Sequence, residues 1–180
     1  MAVSAGSPRD ARSGSLVAGV AARLIMLCAV VPYAVVGLGL RFLMARVFFI
    51  EGQTRIEGLV VPITLFGSDV EFSVILPAAI KDSTFRLFET EYAALPLPPT
   101  VAAYLFTYAE FVLPICLVLG FATRLSALAL LILTVLLQVY VAPQALWTMH
   151  VYWIAILMVL MSVGPGAISL DRLIRSIYQR

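Results

Sequence analysis

The sequence predicts an all-α integral membrane protein, built as a bundle of four transmembrane helices. Hydrophobic residues make up 62% of the 180-residue chain and charged residues only 12%, against about 45–50% and about 25% in a soluble domain. The chain also contains four apolar runs, each close to the roughly 20 residues that a helix needs to cross a bilayer. One compact unit is the expected domain count for this length.

The chain ahead of the first span divides into two parts. Residues 1–15 are rich in Ala, Gly, Ser and Arg, which predicts a disordered N-terminus. Residues 16–31 are apolar around Arg23 and stop at Pro32, which predicts a helix lying at the membrane interface. The rival interpretation is one long first span over residues 24–50, against which Pro32 favours a bend. No small-residue cleavage site is evident, so we expect no signal-peptide removal.

The predicted membrane domain covers residues 16–166 and is followed by a cytoplasmic tail over residues 167–180. Its spans and its outer loop are expected at about residues 33–50, 101–120, 125–142 and 146–163, with the loop over residues 51–100. The loop carries seven acidic residues against three basic ones, and its segment 77–92 predicts a short amphipathic helix.

Charge predicts the topology of the four spans. Arginines gather at both termini and at Arg124, whereas the acidic loop lies on the other side of the bundle. The positive-inside rule therefore places both termini in the cytoplasm and the loop outside. The expected location is a bacterial inner membrane, with the lipid bilayer as the first partner.

Glu110 is the one acidic residue inside the second predicted span. A carboxylate at mid-depth costs about 2.5–3.5 kcal/mol on insertion scales, so it needs a partner or a function. Counted from helix ends at Gly52 and Thr100, Arg41 lies about 16 Å deep and Glu110 about 15 Å deep. We therefore predict an intramembrane ion pair between Arg41 and Glu110. The pair either fixes helix register or is functional, and both residues are the catalytic candidates.

Other polar residues fall in the outer half of the spans and predict a polar cluster that opens to the outside. They are Arg46, Glu51, Tyr104, Tyr108, Gln138 and His150. Plainer interpretations are also open: Arg46 as a side chain that snorkels to the headgroups, His150 as a hydrogen-bonded anchor, and the tyrosines as part of an aromatic belt.

The sequence argues against several kinds of site. The net charge is only +2 and no basic cluster is present, so nucleic-acid binding is not expected. Cys28 and Cys116 lie far apart in apolar segments. Without a Cys-x-x-Cys pair or Cys/His ligand spacing, we expect neither a thiol relay nor a metal site.

Three motifs, in a fixed order, resemble those of the DoxX family of membrane proteins. They are Arg41 followed by Gly52-x-x-Arg55, Glu110 followed by Gly120 and Thr123-Arg124, and Gly164-Pro165-Gly166 followed by Ser169-Leu170-Asp171. Together they cover about residues 33–173. The sequence departs from the family pattern at Arg55, where many members have lysine, and at Ala45, where glycine is usual.

The resemblance implies a four-helix bundle linked to a thiosulfate:quinone oxidoreductase subunit and to membrane redox-stress complexes. The function expected first is a subunit of a membrane redox system, with a quinone bound between helices near Arg41, Glu110 and Tyr108, and with Glu110 relaying protons. One alternative is a non-catalytic anchor or scaffold whose acidic loop binds a membrane or periplasmic protein, or a homo-oligomer. A third is a carrier of small solutes or lipids. The residues themselves show no haem ligand pair, flavin motif or cysteine couple.

Overall fold

The computed structural model describes residues 32–64 and 71–178. The predicted disordered segment 1–15 and interfacial helix 16–31 lie outside these residues. The helices are α1 (Tyr33–Arg55), α2 (Asp82–Thr90), α3 (Pro99–Leu119), α4 (Thr123–Tyr140), α5 (Val151–Val163) and α6 (Leu170–Tyr178); the strands are β1 (Ile56–Glu57), β2 (Val60–Thr64), β3 (Glu71–Ile75) and β4 (Ala79–Ile80).

Four helical segments are long and apolar enough to cross a membrane, which confirms the predicted fold class. They are α1, α3, α4 and the segment Pro143–Val163. The last of these begins with a 3₁₀ turn (Pro143–Ala145) and a π-helical turn (Leu146–His150) and continues as α5. α1 ends at Arg55, five residues past the predicted end at Ile50. The polar residues that follow Ile50 therefore belong to the helix and not to the loop.

The four spanning segments form a closed bundle. α1 packs mainly on α3, α3 on α4, and α4 on α5, while α5 returns to α1. Large apolar side chains fill the space between them and are fully buried, notably Phe106, Leu117, Leu130, Leu157 and Leu160. We call the end of the bundle that carries the strands and α2 the loop end, and the end that carries the α3–α4 turn and α6 the turn end.

The loop end contains strands that the sequence analysis did not predict. β1 pairs with β4 and β2 with β3, both antiparallel. α2 occupies the centre of the segment 77–92 that was predicted to be helical, and it buries Thr84 and Phe88. The Phe88 ring lies 5.6 Å from the ring of Phe106 in α3. The loop end is therefore packed on the bundle as part of the same core.

The α3–α4 turn depends on Gly120 at the turn end. Gly120 has a left-handed backbone, with φ of 70°, which glycine adopts without steric cost. A methyl group at this position would also collide with Arg41 Nη1 and with Ser169. The turn is thus a point where α1, α3 and the segment before α6 meet closely.

Gly52 creates the corresponding close approach between α1 and α3. A Cβ atom added at Gly52 would lie 3.1 Å from the backbone carbon and oxygen of Glu110. Arg55, the last residue of α1, consequently lies at the level of the middle of α3. The half of α3 towards the loop end continues beyond the end of α1 and packs on α2 instead.

Replacing Gly52 with alanine is expected to destabilise the fold by about 1–3 kcal/mol, because the new methyl group presses on rigid backbone. Gly39→Ala is the matched control in the same helix, since nothing lies within 4 Å of its added Cβ; it should be neutral or stabilising by up to about 1 kcal/mol. Unfolding of the detergent-purified variants, followed by circular dichroism, measures both. Equal stability of the two variants would contradict the close packing at Gly52.

Candidate functional site

The candidate site is a buried ionic cluster centred on Arg55, which we call the Arg55 network: Glu51, Arg55, Tyr92 and Glu110. Arg55 Nη1 donates a hydrogen bond of 2.7 Å to Glu110 Oε2. Arg55 Nη2 donates to Glu51 Oε1 at 3.2 Å and to Tyr92 Oη at 3.4 Å. The side chains of Arg55 and Glu110 are 3% and 1% exposed, whereas that of Glu51 is 55% exposed. The network therefore runs from the bundle interior to its surface.

Three elements position these four residues. Glu51 and Arg55 lie one turn apart on α1, Glu110 lies in α3, and Tyr92 follows α2. The absence of a side chain at Gly52 lets α1 approach α3, so that the guanidinium reaches the carboxylate. Two carboxyl groups share one guanidinium, which is the kind of pairing that makes buried charges tolerable.

Aromatic rings surround the guanidinium of Arg55. Its central carbon lies 5.6 Å from the centre of the Phe88 ring and 5.7 Å from that of Tyr92, distances at which cation–π attraction contributes. Burial raises the pKa of the Tyr92 phenol, against the opposing effect of the Arg55 charge. The phenol thus keeps its proton at neutral pH, and the guanidinium of Arg55 lies against two uncharged aromatic rings, those of Phe88 and Tyr92.

Backbone contacts attach the loop end to the same residue. The carbonyl oxygen of Arg55 accepts hydrogen bonds from Lys81 N at 3.1 Å and from Thr84 Oγ1 at 3.0 Å. Lys81 Nζ donates to the carbonyl oxygen of Thr54 at 2.8 Å. Arg55 therefore joins α1, α3 and the start of α2 through both its side chain and its backbone.

The prediction that Arg41 and Glu110 form an ion pair is wrong: Glu110 pairs with Arg55. Arg41 Nη2 donates to the carbonyl oxygen of Ile168 at 2.6 Å, at the turn end beside Gly120. Glu110 lies ten residues before Gly120, about 15 Å along α3. The depth estimate assumed that Gly52 and Thr100 lie at one level, whereas Gly52 packs against Glu110 itself. The motif Gly52-x-x-Arg55 contained the true partner, one turn past that glycine.

Arg41 belongs instead to a clamp at the turn end. The Asp171 carboxylate accepts the backbone N–H groups of Ala122 at 2.7 Å and Thr123 at 3.0 Å. Asp171 N in turn donates to the carbonyl oxygen of Gly120 at 3.0 Å. Asp171 thereby caps the start of α4, where unpaired amide groups favour a carboxylate. Arg41 and Asp171 fix the segment before α6 against the α3–α4 turn.

The predicted outer-half polar cluster does not assemble as one site. Glu51 belongs to the Arg55 network. Gln138 and His150 form a separate pair between α4 and the π-helical turn, with Nδ1 and Oε1 2.6 Å apart. The His150 ring lies 5.2 Å from that of Trp153, so its contacts are those of a hydrogen-bonded anchor.

The other three members of that predicted cluster face the outside of the bundle. Tyr104 and Tyr108 stack on each other along α3, with ring centres 6.3 Å apart and planes inclined by 9°. They line an apolar groove of about 780 Å³ between α3 and α4. Arg46 is exposed on α1 and lines a separate groove of about 440 Å³ between α1 and α3.

The described residues contain no group of three or more His, Cys, Asp or Glu side chains that could hold a metal ion. Cys116 is a free, partly buried thiol on α3. Cys28 lies outside the described residues.

Comparison with protein families gives a match. The DoxX family model matches residues 36–143, more than half of the chain. The match includes all of the Arg55 network, as well as Arg41 and the α3–α4 turn. Neither the comparison with curated proteins nor that with solved structures gives a match.

Removing one partner of the buried pair should be far more damaging than removing the exposed one. Glu110→Gln leaves the Arg55 charge without its interior carboxylate and is expected to destabilise the fold by about 3–5 kcal/mol. Glu51→Gln, the matched control at an exposed position, should cost less than about 1 kcal/mol. Denaturant unfolding in detergent compares them, with the double variant Arg55→Met/Glu110→Leu expected to recover most of the loss. Equal effects of the two single variants would contradict the network.

Proposed function

Because the chain belongs to the DoxX family, we propose that it is a membrane subunit of a redox system and that it acts there as a scaffold. In this role the bundle fixes the loop end at the membrane surface and presents it to a protein partner. The positive-inside rule puts this end on the periplasmic side of a bacterial inner membrane. The Arg55 network is the observation that carries the proposal.

The contacts of that network support a scaffolding role over proton transfer. Both guanidinium nitrogens that bond a partner reach a neighbouring element: Nη1 bonds Glu110 on α3 and Nη2 bonds Tyr92 after α2, in addition to Glu51 on α1 itself. The backbone of Arg55 holds the segment before α2 as well. Groups used in this way join elements together, and the buried pair fixes their register.

The surface of the loop end supports a partner of opposite charge. Among the loop-end residues whose side chains the structure describes, exposed acidic side chains outnumber basic ones, because Arg55 is buried and leaves Lys81 and Arg86 beside them. The exposed acids are Glu51, Glu57, Asp82, Glu89 and Glu91. Complementary charge gives such a contact its specificity and its association rate. The expected partner is therefore a basic surface on a redox protein.

Neutralising four of these acids should release the partner without unfolding the bundle. The variant Glu57→Gln/Asp82→Asn/Glu89→Gln/Glu91→Gln keeps Thr84 and Phe88, whereas deleting α2 would open the core at Phe106. Affinity purification from native membranes should retain a basic, cofactor-bearing protein with the unchanged chain and lose it with the variant. Raising the salt concentration should release it as well.

Arg86→Gln is the matched control for this experiment, since Arg86 is exposed on α2 and its loss makes the surface more acidic. Retention should be unchanged or stronger. If the fourfold variant captures the same proteins at the same salt concentration, the acidic surface is not the docking site.

A second candidate function is quinone binding in the groove between α3 and α4. The site predicted near Arg41, Glu110 and Tyr108 does not form, because Arg41 lies at the turn end and Glu110 faces α1. The groove offers what a quinone requires: apolar walls for an isoprenoid tail and two stacked phenols, Tyr104 and Tyr108, for the ring. Phenol hydroxyls would donate to the quinone carbonyls.

Photolabelling with an azidoquinone tests this second function. The label should attach to peptides from α3 and α4, and Tyr104→Phe/Tyr108→Phe should weaken labelling by about 2- to 10-fold per lost hydrogen bond. Tyr152→Phe is the control, as Tyr152 is an exposed tyrosine on α5. Labelling that is spread evenly over the four spans, or is insensitive to the double variant, would exclude the groove.

A further inference from the structure

A third cavity lies at the turn end, remote from the Arg55 network. It has a volume of about 920 Å³ and is bounded by the start of α4, the end of α5 and one side of α6. Three of its lining residues are arginines, namely Arg124 at the start of α4 and Arg172 and Arg175 on α6. We call it the basic pocket.

The positive charge of the basic pocket is offset only in part by neighbouring acids. Asp171 is the acidic residue in its lining, and both of its carboxylate oxygens already accept backbone N–H groups of the α3–α4 turn. Within the described ranges, no carboxylate lies within salt-bridge distance of Arg124, Arg172 or Arg175. Three guanidinium groups thus share one cavity with donors free for an anion.

Gly164 and α6 hold these arginines in place. A Cβ atom at Gly164 would lie 3.0 Å from Arg124 Nε, so the side chain of Arg124 rests on the backbone where α5 ends. Arg172 and Arg175 are three residues apart on α6 and therefore lie on the same side of the helix. Leu125 and Val163 form an apolar part of the wall of this open pocket.

The apolar side of α6 places the pocket at the membrane surface. Leu173, Ile174, Ile177 and Tyr178 are 41–88% exposed in the bundle, and α6 begins shortly after the last span ends at Val163. A helix with an apolar side and arginines on its polar side lies in the headgroup region of a bilayer. The anion nearest to such arginines is a lipid phosphate.

We propose that the basic pocket binds the headgroup phosphate of an anionic phospholipid, with Arg124, Arg172 and Arg175 as its ligands. The acyl chains then lie along Leu125, Val163 and Ile174 and continue into the adjoining leaflet. The apolar wall favours a lipid over a free phosphate ion, since a free ion would gain nothing from it. The basic pocket lies at the turn end, opposite the acidic surface of the loop end, so its lipid binding does not depend on a protein partner there.

Lipid binding to the full-length, detergent-purified chain tests the proposal by native mass spectrometry. Phosphatidylglycerol should remain bound where phosphatidylcholine is lost. Each arginine removed should weaken phosphatidylglycerol binding roughly fivefold, and Arg124→Gln/Arg172→Gln/Arg175→Gln should weaken it on the order of 100-fold. The control Arg86→Gln, at the loop end, should leave binding unchanged. Equal retention of the two lipids, or an unaffected triple variant, would overturn the proposal.

Two further arms separate a lipid from other occupants. Inorganic phosphate at millimolar concentration should not displace phosphatidylglycerol; displacement would identify a free-anion site and overturn the lipid assignment. A photo-crosslinking amino acid in place of Ile174 should give adducts with the mass of a phospholipid in native membranes. Crosslinks to residues 1–31 or to a second copy of the chain, in place of lipid adducts, would show a protein occupant and reject the proposal.

Discussion

The contact between the Arg55 guanidinium and the Glu110 carboxylate depends on the missing side chain of Gly52. With a Cβ at residue 52 only 3.1 Å from the Glu110 backbone, the two helices could not approach closely enough to bury the pair with its hydrogen bonds intact. A half-satisfied ion pair in an apolar interior is worse than none, since each uncompensated buried charge costs several kcal/mol. The close approach of α1 to α3 and the pairing of Arg55 with Glu110 therefore depend on each other.

This contact also sets the heights of the helices. Because Gly52 is level with Glu110, α1 ends about halfway along α3, and the half of α3 towards the loop end packs its apolar side chains against another element. α2 supplies it through Phe88, which lies on Phe106 and is completely buried. The polar loop over residues 51–100 thus contributes to the core through α2, and its acidic side chains form the exposed surface.

The sequence contained enough to predict the four spans and the burial of Glu110, since both follow from the lengths of apolar runs and the cost of charge in lipid. The relative heights of α1 and α3 are a tertiary property that the sequence does not contain, so counting depth from the helix ends predicts Arg41 as the partner. The strands of the loop end were missed because two to five residues in a mixed polar segment carry little periodicity. Gln138 and His150 lie on separate helical segments, so the direct contact between them follows from the fold and not from their positions in the sequence.

The clamp at Asp171 has a consequence for how the protein is made. The amide groups of Ala122 and Thr123 receive their acceptor only from a residue that follows the last span. During synthesis the α3–α4 hairpin is therefore made before its own turn can be capped, and the turn stays uncapped until Asp171 has been added to the chain. The cap of this turn is in this way supplied by a residue 48–49 positions further along the chain, at the turn end of the bundle.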